Sequence, residues 1–554
     1  MCGWVGVLGP AAQGEAILRA LPVLARRGPD GHGVWSDPTL GLALLHTRLA
    51  IVDRAPRSDQ PMRDPGVEHV LAFNGEIYNF RELRAQWPDY AYQTDSDSEV
   101  LLAQLAMRGL AAFEDLRGMF SFAFVDRRRQ RVLLARDPVG QKPLYFGRIG
   151  ANVWFGSSVQ AIAAACGASL SLRPEALSEY WRDGYVSPLA SIYRELKPVL
   201  PGEVLELDGE GEIQTRQRCL PRGDTHYAGE SADAVDERLE ALLQRAVRRC
   251  LGDHPTPSCL LSGGIDSSLI TGITAEQRPP QQVLALSMKS LIPGTQDEPY
   301  ARQAGRQLGI AQLWLQPQFR DIAAQVRWGL GLQDEPLGMI SFFQLAQLVR
   351  LASERSRILL SGDGGDEVFL GYGRPQDWLQ QAGRVDPATN AALAPGLPEW
   401  LGGWGRDMAA TALVGEGLSK VDRASAEQGV EIRAPLLDWD LICYARSMPF
   451  AAISRDGRSK SLLKAALERR GFDRRFLDRP KLGFAFNLRY LWGLSAYRGL
   501  RELLAEEAVC AIESSLPPAL RRRPATWALR DVFRFFPQVW RALALSAFFQ
   551  RGAA

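Results

Sequence analysis

Three stretches of the sequence hold side chains whose type and spacing suit chemistry. The first is Met1-Cys2-Gly3. A cysteine behind the initiator methionine becomes the first residue once that methionine is removed. Its α-amine, with an ordinary pKa of about 8, can then act as base for its own thiol. Taken alone, a cysteine at position two is an incidental residue. The second stretch is Ser262-Gly263-Gly264-Ile265-Asp266-Ser267-Ser268, which follows a strand expected at 259–261 and has a helix beginning inside it. In a parallel sheet such a loop lies at the carboxyl end of its strand, where ligands bind. Small residues let the backbone close around a tetrahedral anion, and serine hydroxyls with the first helical amides donate to it. The loop reads as a phosphate site, with a serine-capped tight turn as the plainer alternative. It is not of the Walker type, because no Gly-Lys-Ser/Thr follows and the loop holds no lysine. The third stretch, Ser361-Gly362-Asp363-Gly364-Gly365-Asp366-Glu367, ends a strand expected at 357–360 in the same manner. Two such loops can face each other across a topological switch point, which makes Asp266 and Asp366 candidate ligands of a magnesium ion bridging polyphosphate oxygens.

The elements that must position these residues fall into two parts with different patterns. Up to about residue 208, short β-type runs broken by turn residues occur at 4–8, 42–45, 70–73, 121–125, 132–135, 144–146 and 153–155. Helices are expected at 14–24, where Ile17, Leu18 and Leu21 share a face, and at 97–107, where Val100, Leu101, Leu102 and Leu105 do so. An α+β layered fold follows. Residues 218–232 are rich in Pro, Gly, Asp and Ser without an apolar period and mark the boundary. Beyond a helix at 236–249, strands at 258–261, 283–288, 313–316 and 358–361 alternate with helices at 267–277, 298–308, 322–331 and 342–353. That alternation predicts a parallel, doubly wound sheet. The remainder reads as mostly helical with Trp-rich connections at 400–404, and the apolar tail at 539–549, interrupted by Arg541, reads as a packed terminal helix rather than a membrane-surface one. The expected domains are 2–218 and 233–554.

Composition narrows the class of function. With 554 residues, the chain is long enough for several cores. Its 65 Lys+Arg balance 63 Asp+Glu to a net +2, which argues against nucleic acid as the principal partner. The seven cysteines (Cys2, Cys166, Cys219, Cys250, Cys259, Cys443 and Cys510) are scattered, without a Cys-x-x-Cys pair. This speaks against a disulfide framework or a zinc cluster and fits a reducing cytoplasm. Neither a signal-peptide pattern nor an apolar run of roughly 20 residues is present, so no membrane role is expected.

The Ser262–Ser268 motif resembles the pyrophosphatase loop of the N-type ATP pyrophosphatases. That resemblance implies cleavage of ATP between its α- and β-phosphates, transfer of AMP to a carboxylate, and magnesium. Cys2 is followed in order by Arg27-Gly28-Pro29-Asp30, His46 to Asp53, Asn74-Gly75-Glu76-Ile77-Tyr78-Asn79, Asp95 to Glu99 and Arg136-Asp137-Pro138-Val139-Gly140. This set resembles the class II glutamine amidotransferase domain, an N-terminal-nucleophile hydrolase of αββα sandwich fold. The resemblance makes Cys2 the nucleophile on the glutamine side-chain amide, and Asn74 with the Gly75 amide the oxyanion hole. It makes Arg48 the holder of the substrate's α-carboxylate, and Glu76 and Asp97 the residues near its α-ammonium. The plainer readings are a surface ion pair for Arg48 or Asp97 and a type I′ hairpin turn for Asn74-Gly75. His46 reads as structural.

A glutaminase followed by an ATP pyrophosphatase resembles the glutamine-hydrolysing asparagine synthetase family over nearly the whole chain. Further landmarks are Asp297 to Ala301, Lys420 to Arg423, Val430 to Asp438, Lys460 to Lys464 and Arg479 to Phe484. The family chemistry implies ammonia released at Cys2 and conveyed internally to a β-aspartyl-adenylate. By the same resemblance Lys460 is catalytic. It implies that Leu260, Met288 and Gly362 line the adenine and ribose pocket, largely through backbone atoms, with Ser262, Gly263, Gly264, Asp266, Ser267, Ser268 and Ser361 also binding ATP. Asp363 stands where dedicated asparagine synthetases have a glutamate proposed as the base for ammonia. Residues 334–343 lack the Arg-Ala-Ser run expected to hold aspartate's α-carboxylate, and the segment after Tyr372 is short. The implied partners are L-glutamine, ATP and a carboxylate acceptor, L-aspartate first, then a sugar, peptide or secondary-metabolite carboxylate. A homodimer is the further candidate. A ring-closing β-lactam-synthetase type is disfavoured by the intact Cys2, Arg48, Asn74 and Asp97. A non-catalytic relative is disfavoured because neither site is damaged.

Overall fold

The computed structural model describes residues 1–223, 226–289, 297–316, 322–371, 413–479 and 536–552. The stretches at 400–404 and 480–484 and the segment after residue 371 lie outside them. The amino-terminal strands are β1 (Gly3–Leu8), β2 (Gly31–Asp37), β3 (Leu42–Arg48), β4 (Met62–Arg63), β5 (His69–Ile77), β6 (Gly118–Asp126), β7 (Arg131–Arg136), β8 (Tyr145–Ile149), β9 (Asn152–Gly156), β10 (Lys197–Pro198), β11 (Glu203–Leu207) and β12 (Ile213–Arg218). They form two six-stranded antiparallel sheets, ordered β10-β8-β9-β1-β3-β2 and β12-β11-β7-β6-β5-β4.

Because successive strand side chains point to opposite faces, each central strand can feed two layers. Trp4, Leu42 and Leu44 of the first sheet meet Val70, Ala72 and Ala123 of the second in one core. The opposite face of the first sheet, with Val5, Val7 and Ala43, packs on Val159, Ile162 and Ala165 of the helix Val159–Cys166. The outer face of the second sheet, with Leu71, Phe73 and Phe122, packs on Val100, Leu101 and Leu105 of the helix Asp97–Arg108. The Ser96 hydroxyl starts that helix by accepting the Glu99 amide. The result is the αββα sandwich. The helix expected at 14–24 is instead one 3-10 segment, Glu15–Ala20, running into a single α turn, Leu21–Leu24. Leu18 is exposed at 39% rather than on the buried face. Pro22 cannot donate the amide that a continuous helix would require.

The carboxy-terminal sheet contains β13 (Ser258–Leu260), β14 (Leu284–Met288), β15 (Ala311–Leu315), β16 (Ile358–Leu360) and β17 (Glu431–Arg433), all paired in parallel in the order β15-β14-β13-β16-β17. Leu243 of the helix Ala232–Leu251 and Leu269 of the helix Ile265–Gln277 cover one face. Phe342 of the helix Ile340–Ser353 and Ala424 of the helix Ser419–Ala426 cover the other. The sheet is doubly wound. The chain moves outward from β13 in one direction and returns to β16 on its other side, so the crevice after β13 and β16 is the topological switch point. The helix Phe536–Gly552 buries Trp540, Leu545 and Phe548, and its Arg541 carbonyl accepts the Tyr180 hydroxyl at 2.6 Å. Among the described residues no helix is long and apolar enough to cross a membrane.

Candidate active sites

At the switch point Leu260, Ser262, Gly264, Asp266, Ser267, Met288, Ser361, Gly362, Asp363, Asp366 and Lys460 line one cavity of about 470 Å³. The two glycine-rich loops touch there. A Cβ on Gly362 would lie 2.7 Å from the Ser267 amide nitrogen, so only glycine allows the approach. The Ser262 hydroxyl accepts the Gly264 amide at 3.2 Å and lies 3.1 Å from the Ser267 hydroxyl, which closes the first loop on itself. Ser361 Oγ is buried without a hydrogen-bond partner and faces a site that could use it as a donor.

Two expected members of this group do not line the cavity. Gly263, at φ +78°, is pressed against the helix Asp297–Gln307, where a Cβ would lie 2.3 Å from the Ala301 nitrogen. Ser268 is buried in the interior of its own helix.

Lys460 sits in the left-handed region at φ 52°, immediately before the helix Ser461–Glu468. Its ammonium bonds the Asp266 carboxylate and lies 2.6 Å from Asp366 Oδ1. Burial alone would lower its pKa, but Asp266 and Asp366 outweigh burial and hold it above the usual lysine value. Two carboxylates from two strand-end loops therefore converge on one cation. Among the described residues no group of three or more His, Cys, Asp or Glu side chains is placed to hold a metal. One or two carboxylates completed by phosphate oxygens are nonetheless the donor set that magnesium takes, so the residues fit it.

Cys2 immediately precedes β1. Its Sγ accepts the Leu49 amide at 3.5 Å, which puts it beside the chain carrying Arg48. Burial pushes the Cys2 thiol above its ordinary pKa, so the sulfur needs a base to become a thiolate. Burial also lowers the Met1 amine, to about 5. Asn74 and Gly75 lie inside β5, opposite Ser121 and Phe120, and not at a hairpin turn. The Asn74 carboxamide is fully buried with neither polar atom paired. Gly75 has φ +152° and no room for a side chain, since a Cβ would fall 2.0 Å from the Met119 carbonyl oxygen. His46 Nε2 lies 3.0 Å from the Phe73 carbonyl oxygen and joins the two sheets. Burial lowers its pKa to about 3, so it is a neutral strut. The Arg48 guanidinium donates to Asp59 Oδ1 at 2.7 Å and to the Ala55 carbonyl at 2.8 Å, fixed by the loop that follows it.

Glu76 and Asp97 lie in one buried group, and a residue given no role from sequence joins them. Arg433 of β17 lies 3.1 Å from Glu76 Oε2, and its Nε donates to Glu431 at 2.8 Å. The backbone carbonyl of Arg433 accepts the Ser361 amide at 2.9 Å. One buried arginine thus touches both the candidate glutamine pocket and the second glycine-rich loop. Asp97 Oδ2 accepts the Ile77 amide at 3.0 Å. Burial raises Asp97 to about 6, with Glu431 adding to the rise. Burial raises Glu76 as well, against the pull of Arg433.

Other buried contacts join the two parts. Arg27 donates to the Cys2 carbonyl at 3.3 Å and to Asp422 at 3.0 Å. Arg117 donates to Asp440 at 2.9 Å. Residues 334–343, read from sequence as an acceptor-side wall, mostly serve this contact. Asp334 caps the helix Val159–Cys166 by accepting the Ser158 hydroxyl at 2.5 Å and the Val159 amide at 2.9 Å. Glu335 accepts the Tyr145 hydroxyl at 2.8 Å. Of this stretch, Ser341 lines the cavity. The roles of Arg433, Arg27 and Asp334 were invisible because their partners are distant in sequence.

This pairing of an N-terminal-nucleophile sandwich with a pyrophosphatase-loop sheet defines a glutamine-dependent ligase. A glutamine amidotransferase domain model matches residues 1–217 and an asparagine synthase model matches residues 238–516. The chain belongs to the asparagine synthase family. Asparagine synthetase [glutamine-hydrolyzing] 1 of Bacillus subtilis is 27% identical over 566 residues, covering 88% of this chain and 88% of that protein. Asparagine synthetase [glutamine-hydrolyzing] 3 of the same organism is 26% identical over 523 residues, covering 84% of each. Asparagine synthetase [glutamine-hydrolyzing] 2 of Oryza sativa is 27% identical over 521 residues, covering 89% of this chain and 78% of that protein.

Proposed function

We propose that the chain converts aspartate to asparagine, with glutamine as nitrogen donor and ATP cleaved to AMP and pyrophosphate. The observation that carries the synthetase half is the convergence of Asp266 and Asp366 on Lys460 between two touching glycine-rich loops. Residues 2–218 would be the glutaminase unit and 233–554 the synthetase unit.

With Met1 removed, the Cys2 amine would take the thiol proton and Sγ would attack the glutamine amide carbon. Asn74 Nδ2 and the Gly75 amide would donate to the oxyanion as it forms, a stabilisation absent from the planar ground state. Collapse of the intermediate would expel ammonia and leave a γ-glutamyl thioester for water to cleave. Arg48 would hold the substrate's α-carboxylate, and Glu76 with Asp97 its α-ammonium.

In the synthetase cavity an acceptor carboxylate oxygen would attack the α-phosphorus of ATP, and pyrophosphate would leave. Ammonia would then attack the acyl carbon of the adenylate, and AMP would leave. Asp266 and Asp366 would hold magnesium, which when bound neutralises charge on the triphosphate. Lys460 would stabilise the phosphoryl charge. Asp363, at the cavity wall, would accept the proton lost by ammonia.

A second reading, the same chemistry on another carboxylate, is favoured by the diversion of Asp334 and Glu335 into the contact between the two parts. The test is pyrophosphate release with ATP, magnesium and glutamine, with and without aspartate, and asparagine scored by mass spectrometry. Aspartate-dependent pyrophosphate with matching asparagine is expected. Glutaminase activity without either would refute aspartate as acceptor. Cys2→Ala should abolish glutamine use and leave synthesis from free ammonia, whereas loss of both would refute the division of labour.

A further inference from the structure

The wall of the 470 Å³ cavity formed by the helix Ile340–Ser353 contains a polar group that the proposed chemistry does not use. Gln344 is 2% exposed and lines the cavity, yet its Oε1 and Nε2 both lack a hydrogen-bond partner. A buried carboxamide with neither end paired is unfavourable in an empty protein, and its presence at a binding cavity calls for a ligand group that satisfies both ends.

Its surroundings specify the shape of that group. One and four positions further along the helix, Leu345 and Leu348 also line the cavity and pack in one apolar cluster with Leu286 and the partly buried Leu260. Met288 adds to the same lining. An apolar slot beside one amide suits a flat ring whose faces are apolar and whose edge carries a donor next to an acceptor. Adenine has such an edge in its 6-amino group and adjacent ring nitrogen, and a glutamine carboxamide matches it bidentately. A carboxylate acceptor needs a cationic partner instead, and Gln344 offers no charge.

We propose that Gln344 reads the polar edge of the nucleotide base, with Leu345 and Leu348 flanking the ring. This rests on the ATP-dependent reading of the cavity and adds a side chain that selects the nucleotide.

The test measures binding to the full-length chain by titration calorimetry with magnesium present, which requires no acceptor. ATP is compared with purine riboside 5′-triphosphate, which lacks the 6-amino group, on the wild type and on Gln344→Met, a variant of similar volume. The expected result is that the wild type binds ATP about tenfold more tightly than the analogue, the ratio for loss of neutral hydrogen bonds. Gln344→Met should bind both ligands equally, at the weaker level. Equal binding of the two ligands by the wild type would overturn the proposal without recourse to any variant. So would a Gln344→Met chain that keeps the preference for ATP. A wild type that binds the two triphosphates equally but tightly would leave the ATP-dependent reading standing, whereas one that binds neither would refute that reading and this contact together.

Discussion

Lowering the pH should weaken glutamine binding through Asp97, by an amount set by the charges around it. Glu76, Asp97 and Glu431 lie in one buried group faced by the Arg433 guanidinium, with Arg81 adding a weaker pull on Glu76. Negative charge exceeds positive charge there, and Asp97 is raised from 3.8 to about 6. If the α-ammonium of glutamine binds between Glu76 and Asp97, it supplies the missing positive charge and requires Asp97 to be ionised. Affinity then falls as pH drops through about 6, and one unit below that value binding should be about tenfold weaker than at pH 8. The assay is calorimetric titration of glutamine into Cys2→Ala, which cannot turn over, in buffers of different ionisation enthalpy. About half a proton should be released per glutamine at pH 6 and almost none at pH 8. The stability effect has the opposite sense. Because the folded pKa lies above the unfolded one, the native state binds more protons between about pH 4 and 6, and stability falls as pH rises through that window. Asp97→Asn removes this penalty and should stabilise the free protein by about 3 kcal/mol at pH 7.5, with little effect below pH 4. Glutamine affinity that is flat from pH 8 to pH 5, or an Asp97→Asn chain that binds glutamine like its parent, would refute the reasoning.

Asn74→Leu should lower kcat for glutamine hydrolysis by about 10²–10³-fold with little change in KM, because the lost donor serves the tetrahedral intermediate; steady-state glutaminase kinetics check it, and an unchanged kcat removes Asn74 from the oxyanion site. Asp366→Asn should abolish pyrophosphate release with either glutamine or ammonia while leaving glutamine hydrolysis intact, since the carboxylate faces Lys460 in the nucleotide cavity. Arg433→Met should leave Glu76 and Glu431 buried without their guanidinium and destabilise the chain by about 3–5 kcal/mol, read by chemical denaturation, with Arg433→Met/Glu431→Gln recovering part of the loss. An Arg433→Met chain as stable as the wild type would mean the cluster is solvated.

Much of this protein is determined locally and can be read in its sequence. Strand, glycine-rich loop and helix follow one another at 258–277 because the apolar and small residues Ser258-Cys259-Leu260-Leu261 give way to glycines and then to a helical period. The same holds for the second loop at 358–367, so that Asp266 and Asp366 could be named together although 100 positions separate them. The helix Asp97–Arg108 is legible from its apolar stripe of Val100, Leu101, Leu102 and Leu105. Local pattern misleads where neighbours override it. Asn74-Gly75 has the sequence of a hairpin turn, yet β6 runs close enough along it to hold both residues within a strand. Gly263 and Ser268 belong to the phosphate motif but are turned into packing by the helix Asp297–Gln307 and by their own helix.

Only the tertiary structure decides which charges are paired. Arg433 reaches Glu76, Arg27 reaches Asp422 and Asp334 caps a helix in the other part of the chain. No periodicity encodes these contacts, because they depend on how two separately patterned units pack and on burial, which makes each unpaired charge too unfavourable to leave alone. The same burial raises Cys2 and Asp97, while Asp266 and Asp366 overcome it at Lys460. Sequence supplies the reactive groups and their local scaffolds, while the fold determines their charge and their partners.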